Sequence, residues 1–246
     1  MWNTLGELNQ TVTRCVACAR LVEWRERVAR DKRAAYMDQE YWGRPVPGFG
    51  DPRARILVVG LAPAAHGGNR TGRIFTGDRS GDWLFASLHR AGYASQPRSV
   101  HPGDGLALRD VYVTAAVRCA PPANKPLPDE RDNCGPFLVA ELRLLTRLRV
   151  VVALGGFAWD AALRAGAALT SRSVRPRPRF GHGRQADLGA FTLLGCFHPS
   201  QQNTFTGRLT EGMMDSVWER AGALAGGSAR PKHSPDEARS TGGRPP

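Results

Sequence analysis

The residue types best suited to catalysis lie in two polar segments of the chain. The first, residues 60–78, reads GLAPAAHGGNRTGRIFTGD and ends at Asp78, and the second, residues 196–210, begins CFHPSQQN and contains His198. A carboxylate can activate water or stabilise a cation, and a histidine near neutral pH can meet a developing anion. A lone histidine is more often an ordinary hydrogen-bonding residue. The two segments are therefore candidates for a catalytic site that need further support.

Phosphate binding is the alternative for the first segment, because residues 60–81 contain six glycines. Their spacing fits neither a Walker loop, which ends in Gly-Lys-Ser/Thr, nor a dinucleotide-binding fingerprint. We expect the glycines to let the backbone approach a ligand closely, with Arg70 and Arg73 placed to meet phosphate. Because an aspartate before a helix is a common N-cap, a purely structural role for Asp78 also stays open.

Four of the five cysteines form a third candidate group. Cys15 and Cys18 make a CxxC, whereas Cys119 and Cys134 are single residues far downstream. Four thiolates from two regions suit a tetrahedral zinc or an iron-sulfur cluster, although the roughly 100 residues between the pairs exceed a zinc ribbon. The N-terminus has no secretory signal, so we expect the cytoplasm, where thiols stay reduced. Cys196 ends an apolar run and is expected to be an ordinary buried thiol.

The charge of the chain points to a nucleic-acid partner. Lysine and arginine number 34 against 22 acidic residues, for a net charge of +12, and only three of the basic residues are lysines. Arginine binds phosphate bidentately and stacks on bases, while a GC-rich genome is the competing explanation for its abundance. With 41% hydrophobic and 23% charged residues, and no stretch of about 18 apolar residues, the composition excludes a membrane protein.

Four apolar runs predict the strands that must position these residues, at 55–59, 111–114, 150–154 and 191–195. Helical patterns lie between the runs, at 82–91, 137–148 and 157–168. This alternation predicts a single-domain α/β/α sandwich around a central, mostly parallel sheet of about four strands. The two polar segments follow the first and last runs. We therefore expect them to face each other across one cleft at the carboxyl ends of the strands.

The sequence divides into a folded part and a tail. Residues 1–224 are predicted to form one domain, because apolar periodicity stops there. Residues 225–246 consist mainly of glycine, proline, serine and charged residues, a composition typical of disorder. The tail has four basic and two acidic residues, so +10 of the charge belongs to residues 1–224.

Taken together, the three groups resemble the uracil-DNA glycosylase superfamily, specifically its family 5 (type b). The resemblance extends from the CxxC to about Leu224, through RPVPGFGDPRARILVVGLAPAAHGGNRTGRIFTGD, DVYVTAAVRCAPPANKP and HPSQQNTFTGRLT. It implies the fold of that superfamily and a monofunctional glycosylase that flips a damaged base out of DNA, hydrolyses its N-glycosidic bond and leaves an abasic site. It also implies a structural 4Fe-4S cluster with Cys15, Cys18, Cys119 and Cys134 as ligands.

The resemblance assigns roles to individual residues. Asp78 is expected to polarise water or stabilise the cationic sugar, His198 to contact O2 of the departing base, and Asn203 to occupy a third active-site position. Stacking of the extruded base on an aromatic residue is worth ~1 to 3 kcal/mol. The expected base-binding residues are Phe75, Gly60, Ala62, Ala115 and Asn124.

Two departures from the wider superfamily affect specificity. In the motif after the first strand, many relatives have an acidic or amide side chain, whereas this sequence has Leu61, Ala62, Ala64 and Ala65. Water activation is therefore expected to depend more on Asp78. Ala115 lies where many relatives have an asparagine that reads uracil. Because an apolar wall rejects analogues poorly, we expect hypoxanthine, ethenocytosine and hydroxymethyluracil as substrates besides uracil, with Asn124 supplying some polar contact.

The expected partner is DNA, bound by a nucleoid-associated monomer; double-stranded DNA is expected, and single-stranded DNA stays open as an alternative. The residues expected to contact it are Arg70, Arg73, Gln201, Gln202 and Arg208. Two other functions stay open: a non-catalytic damage sensor stabilised by a metal cluster, and a relative that traps the abasic product covalently, with His66 as the nucleophile.

Overall fold

The computed structural model describes residues 2–226, which contain eight α-helices and six β-strands. The helices are α1 (Leu5–Thr13), α2 (Ala19–Asp31), α3 (Gly68–Thr71), α4 (Arg79–Arg90), α5 (Pro128–Leu144), α6 (Gly156–Thr170), α7 (Gln201–Phe205) and α8 (Glu211–Leu224). The strands are β1 (Phe49–Gly50), β2 (Ile56–Gly60), β3 (Val111–Ala115), β4 (Val150–Leu154), β5 (Gln185–Asp187) and β6 (Thr192–Cys196).

The six strands form one mixed sheet in the order β1-β3-β2-β4-β6-β5. The four predicted runs are its central strands, and β3, β2, β4 and β6 pair in parallel. Every residue of β2, β3 and β4 is buried, as expected for strands covered on both faces. Two short antiparallel strands that the sequence analysis did not predict, β1 and β5, complete the edges.

Alternate residues of the strands face two separate hydrophobic cores, which confirms the predicted α/β/α sandwich. Ile56 and Val58 of β2 pack towards α4 and α8. Their neighbours Leu57 and Val59 pack on the other side, towards α5 and α6. Since side chains alternate along a strand, one apolar run supplies both cores.

The strand order places a crevice at one end of the sheet. The chain leaves β2 towards β3 on one side, and leaves β4 towards β6 on the other. Ligands bind at such a reversal, outside the carboxyl ends of the strands. The two polar segments emerge at this end, one after β2 and one after β6.

The N-terminal helices, which the sequence analysis left unassigned, pack outside the sandwich. Leu8 and Val12 of α1 are fully buried against α5. Leu21 of α2 packs with Cys119 and Cys134. The chain then runs beside the loop that follows β2, where the backbone N–H of Trp42 donates to the Arg70 carbonyl at 2.9 Å.

The predicted tail lies almost entirely outside the described residues. Its first residue, Ala225, is buried beside α8, and its carbonyl accepts a hydrogen bond from Arg55 at 3.1 Å. The structure does not describe residues 227–246. Within residues 2–226 no helix combines the length and apolar character needed to span a bilayer.

Candidate active site

A cleft of about 1580 Å³ lies where the strand order reverses. One wall comes from the loop after β2 and another from the segment after β6, so the prediction that the two polar segments face each other is confirmed. Eight of the residues selected from the sequence line this cleft: Ala62, Arg70, Phe75, Asp78, Asn124, His198, Gln201 and Gln202.

Asp78 is both a helix cap and a wall of the cleft. It is the N-cap of α4, and its Oδ1 accepts the Gly81 N–H at 3.0 Å. Gly67 packs on the other carboxylate oxygen, where a Cβ would overlap Oδ2. Burial raises the pKa of Asp78 despite the opposing effect of the hydrogen bonds from the backbone at Gly81 and Ser80. The capping role that the sequence left open therefore coexists with a position in the cleft.

Phe75 is held in the cleft wall by an unusual backbone conformation. Its φ is +53°, in the left-handed region, and its side chain is buried. The ring lies over Gly60, where a Cβ would come within 2.6 Å of the phenyl Cζ. Gly81 contacts the Phe75 carbonyl so closely that no side chain fits there. These two glycines are thus needed for close packing against Phe75, whereas the sequence analysis expected the glycines of this segment to approach a ligand.

His198 faces Phe75 across the cleft, with the ring centroids 5.9 Å apart and the planes at 35°. Burial lowers the pKa of His198 to about 4, so its imidazole is neutral at physiological pH. The Asn203 side chain donates to the His198 carbonyl at 2.8 Å. Asn203 is not among the residues lining the cleft. Its contact holds the backbone of His198 in place.

Two of the predicted base-binding residues lie behind the cleft. Ala115 is the last residue of β3, pairs in register with Gly60 and is 2% exposed within the sheet core. Neither residue belongs to the cleft lining. Gly60 acts through the ring of Phe75, whereas Ala115 is a core residue, contrary to the prediction of a base contact.

Arg73 does not have the role predicted from its position in the loop. It is 6% exposed and forms an ion pair with Asp104 at 2.6 Å. The same guanidinium donates to Ser99 Oγ at 2.7 Å and to Thr76 Oγ1 at 3.0 Å. Its donors are therefore occupied within the protein, and the prediction of a phosphate contact is corrected: Arg73 joins the loop after β2 to residues 99–104.

Arg70 and Arg208 are both less buried than Arg73. Arg70 lines the cleft, but its guanidinium also binds the carbonyls of His66 at 2.7 Å and Gly77 at 3.1 Å and lies 4.1 Å from the Tyr36 ring centre. It thus braces the loop that bears Asp78. Arg208 is exposed, with its guanidinium 4.7 Å from the Phe197 ring centre, beyond the residues that line the cleft.

Four exposed arginines that the sequence analysis did not select line the cleft: Arg33, Arg79, Arg90 and Arg98. Arg90 is paired with Asp215 at 2.9 Å. No local pattern in the sequence distinguishes the other three from the remaining arginines. Two exposed apolar side chains lie beside them. Val100, 57% exposed, lines the cleft, and Phe205, 66% exposed, packs on Arg79.

His66, the candidate nucleophile of the covalent-trap hypothesis, also lines the cleft. Its Nδ1 lies 2.9 Å from the Tyr41 hydroxyl. Burial lowers the pKa of His66, and the positive charges of Arg33 and Arg70 add to this effect. At neutral pH the imidazole is therefore uncharged and hydrogen-bonded.

The four cysteines of the third candidate group converge beside α2. Cys119 and Cys134 are buried, Cys18 packs against them, and none forms a disulfide. Burial raises the pKa of Cys119 to about 11, and the nearby Cys15 and Cys18 contribute to the increase. Between residues 2 and 226, no three potential ligands lie close enough to hold one metal ion. A four-iron cluster is several ångströms across, so its thiolates stand farther apart.

Arg25 provides an independent test of what this group of thiols can hold. It is 3% exposed, and its Nη1 donates to Cys119 Sγ at 3.0 Å. A buried cation requires a buried anion, so the cysteine group fits an anionic centre. Cys196 lies apart, fully buried in the core next to α8, where burial raises the pKa of its thiol to about 12.

Comparison with known proteins gives a consistent result. The family model described as the uracil DNA glycosylase superfamily matches residues 47–222. A type-5 uracil-DNA glycosylase of Mycobacterium bovis is 60% identical over 91% of this chain and 82% of its own length. Another from Thermus thermophilus is 54% identical over 88% of this chain and 96% of its own. A type-4 uracil-DNA glycosylase of Thermotoga maritima is 32% identical over 63% of this chain and 69% of its own length.

Proposed function

Since the chain belongs to the uracil DNA glycosylase superfamily, we propose that it hydrolyses the N-glycosidic bond of uracil in DNA, as a monofunctional glycosylase of base excision repair. One observation carries the proposal. Asp78, Phe75 and His198 line a single cleft, although they come from two distant segments of the chain. They supply a carboxylate, a stacking surface and a hydrogen-bond donor.

Asp78 acts on the sugar side of the bond. Cleavage leaves positive charge on the sugar and negative charge on the base, so a carboxylate near the sugar stabilises the transition state. The raised pKa of Asp78 also makes it a better proton acceptor for an attacking water. Its hydrogen bond from Gly81 at 3.0 Å holds the carboxylate in a fixed orientation, which lowers the cost of ordering it during the reaction.

His198 acts on the base side. With a pKa of about 4, the imidazole is neutral at the working pH and donates a hydrogen bond to O2 of the departing base as negative charge develops there. Asn203 positions His198 through its backbone carbonyl. Phe75 stacks on the extruded base, and this contact of ~1 to 3 kcal/mol offsets the few kcal/mol that extrusion costs.

The chemistry of the cleft wall supports a broad range of bases. Ala62, Ala64 and Ala65 line it with methyl groups, and Asn124 lines it with an exposed amide. Methyl groups in place of hydrogen-bonding side chains discriminate poorly between bases of similar size. We therefore propose hypoxanthine, ethenocytosine and hydroxymethyluracil as further substrates.

The DNA backbone is bound by the arginines around the mouth of the cleft. Arg33, Arg79 and Arg98 are exposed there, and arginine pairs bidentately with phosphate. Gln201 and Gln202 of α7 lie at the same mouth, and Arg208 follows in the chain. The protein acts as a monomer on double-stranded DNA from which one nucleotide has been extruded.

Excision assays test the function directly. Duplexes with uracil opposite guanine or adenine, hypoxanthine, ethenocytosine, hydroxymethyluracil or thymine are incubated with the protein and treated with alkali. We expect strand breakage at uracil and at the other modified bases but not at thymine. Absence of breakage at every base, together with binding to the damaged duplex, would instead establish the damage sensor. A protein-DNA adduct on a denaturing gel would establish covalent trapping.

We further propose that Cys15, Cys18, Cys119 and Cys134 hold a structural 4Fe-4S cluster. Such a cluster supplies a covalent link between the N-terminal segment and the residues after β3, and hydrolysis requires no redox step. The buried Arg25 supports an anionic centre at this position. We expect brown protein with broad absorption at about 400 nm and with bound iron and sulfide. Colourless protein with stoichiometric zinc would overturn the proposal, and Cys196→Ser serves as a control that retains the colour.

A further inference from the structure

Arg25 occupies an unusual environment on the buried face of α2. Its Nη1 donates to the Sγ of Cys119 at 3.0 Å and to the backbone carbonyl of Cys15 at 3.2 Å. Its Nε is buried without a hydrogen-bond partner. The guanidinium thus lies directly beside two of the four cysteines.

The other buried arginines of residues 2–226 show what is missing at Arg25. Arg73, Arg118 and Arg131 each pair with a carboxylate at 2.6 Å, namely that of Asp104, Glu141 and Asp160. The carboxylate paired with Arg25 is that of Glu26, which is 3.8 Å away and 55% exposed. Because a charge removed from water requires an opposite charge nearby, the balancing anion must lie on the cysteine side.

We propose that Arg25 is the counter-charge of the iron-sulfur cluster and donates a hydrogen bond to the thiolate of Cys119. The inference rests on the cluster proposed above. Four thiolates bring four negative charges to the site, more than the iron-sulfide core balances. Hydrogen bonds to the sulfurs and nearby charges set the reduction potential of such a cluster, and residues that contact ligands strongly affect its retention.

The main-chain carbonyl of Arg25 contacts the loop after β2, which bears Asp78. Its carbonyl accepts a hydrogen bond from the Asn69 side chain at 3.1 Å, and Asn69 is fully buried in α3. Two residues earlier in the chain, Gly67 packs on the Asp78 carboxylate. Arg25 is therefore a positioning residue: its side chain faces the cysteines and its carbonyl holds the loop that orients Asp78.

The test compares Arg25→Gln with Arg27→Gln in the full-length protein. Arg27 is on the same helix but is exposed and pairs with Glu23, so both variants lose one positive charge and only the first loses it beside Cys119. We expect Arg25→Gln to release iron to a chelator about 10 to 100 times faster than wild type. Its cluster should also have a more negative reduction potential, because a positive charge favours the reduced form. Arg27→Gln should match wild type in both.

Arg25→Lys separates charge from folding. It keeps the positive charge, so its reduction potential should lie nearer to wild type than that of Arg25→Gln, and it keeps the comparison possible if Arg25→Gln does not fold. Wild-type protein without iron and sulfide would overturn the cluster itself. If wild type holds the cluster, Arg25 variants with wild-type potential and wild-type iron release would overturn the role of Arg25 while leaving the glycosylase proposal intact.

Discussion

Gly67 and Asp78 are in direct contact: the carboxylate of Asp78 lies where a side chain at position 67 would have to be. The carboxylate is thus fixed from two sides, by this backbone contact and by the hydrogen bond from Gly81 at 3.0 Å. Placement of the proposed catalytic group therefore depends on a residue that has no functional group of its own.

Gly67→Ala should displace the Asp78 carboxylate without removing it. Displacement of a catalytic group by about 1 Å can reduce the rate on the order of 100-fold, so we expect kcat for uracil excision to fall about 10- to 100-fold. Gly212→Ala is the matched control, because a Cβ there meets nothing within 4 Å. Wild-type kcat in Gly67→Ala would contradict the role assigned to this contact.

Asp78→Asn should separate activity from stability. Asparagine caps helices as well as aspartate does, and it carries no charge to bury. Because folding raises the pKa of Asp78, the folded state binds the carboxyl proton more tightly than the unfolded state. The free energy of unfolding of wild type therefore decreases as pH rises through this raised pKa. Asp78→Asn has no carboxyl group at this position, so its free energy of unfolding does not decrease for this reason.

At pH 7 we expect Asp78→Asn to unfold at the same or a higher denaturant concentration than wild type. Its excision rate should fall about 10²- to 10⁴-fold, while it still binds uracil-containing DNA. Denaturant titration and single-turnover excision measure the two effects. A variant that loses both stability and activity would indicate that Asp78 serves mainly as a cap.

His198 should make the stability of wild type sensitive to acid. Folding lowers its pKa from 6.5 to about 4, so the unfolded state binds the extra proton first as pH falls. The free energy of unfolding therefore decreases between pH 6.5 and about 4, by on the order of 1 kcal/mol per pH unit. His198→Gln should lose this contribution, whereas the exposed His89→Gln should retain it. Equal pH dependence in all three proteins would contradict the neutral, buried imidazole.

Arg98→Gln should weaken DNA binding in a salt-dependent way. Loss of one phosphate contact reduces the slope of log affinity against log salt concentration by about 1, with equal effect on undamaged and damaged duplexes. Arg172→Gln, at an exposed position outside the cleft lining, should leave the slope unchanged. Binding is measured in the Asp78→Asn background to prevent excision. An unchanged slope in Arg98→Gln would remove this residue from the DNA interface.

The central sheet could be predicted from the sequence because its strands are buried on both faces. Such strands are continuous apolar runs, as in Val150–Leu154. The edge strands carry no such signal, because β1 has two residues and β5 has three. Asp78 and His198 were candidates for a similar reason, because each lies in a polar segment that follows a strand at the end of the sheet where ligands bind. Their expected roles came from the family resemblance.

The roles of the arginines depended on contacts that the sequence does not display. Arg73 is buried because Asp104, 31 positions later, is brought next to it. Arg98 lies in the same region but faces the cleft. Nothing in the neighbouring residues separates the two, since both are arginines in polar loops. Arg25 is likewise one of several arginines along α2, and only the packing of that helix on Cys119 distinguishes it.

The short edge strands also bear on how the protein behaves among other chains. A β-sheet ends in unpaired N–H and C=O groups, which can pair with a strand of another molecule and start aggregation. Here the long parallel strands are all internal, and the outermost backbone runs for only two residues in β1 and three in β5. A foreign strand would find a ladder too short to extend. The strand order that brings Asp78 and His198 together at the carboxyl ends of the central strands thus also leaves only short edges for pairing with another chain.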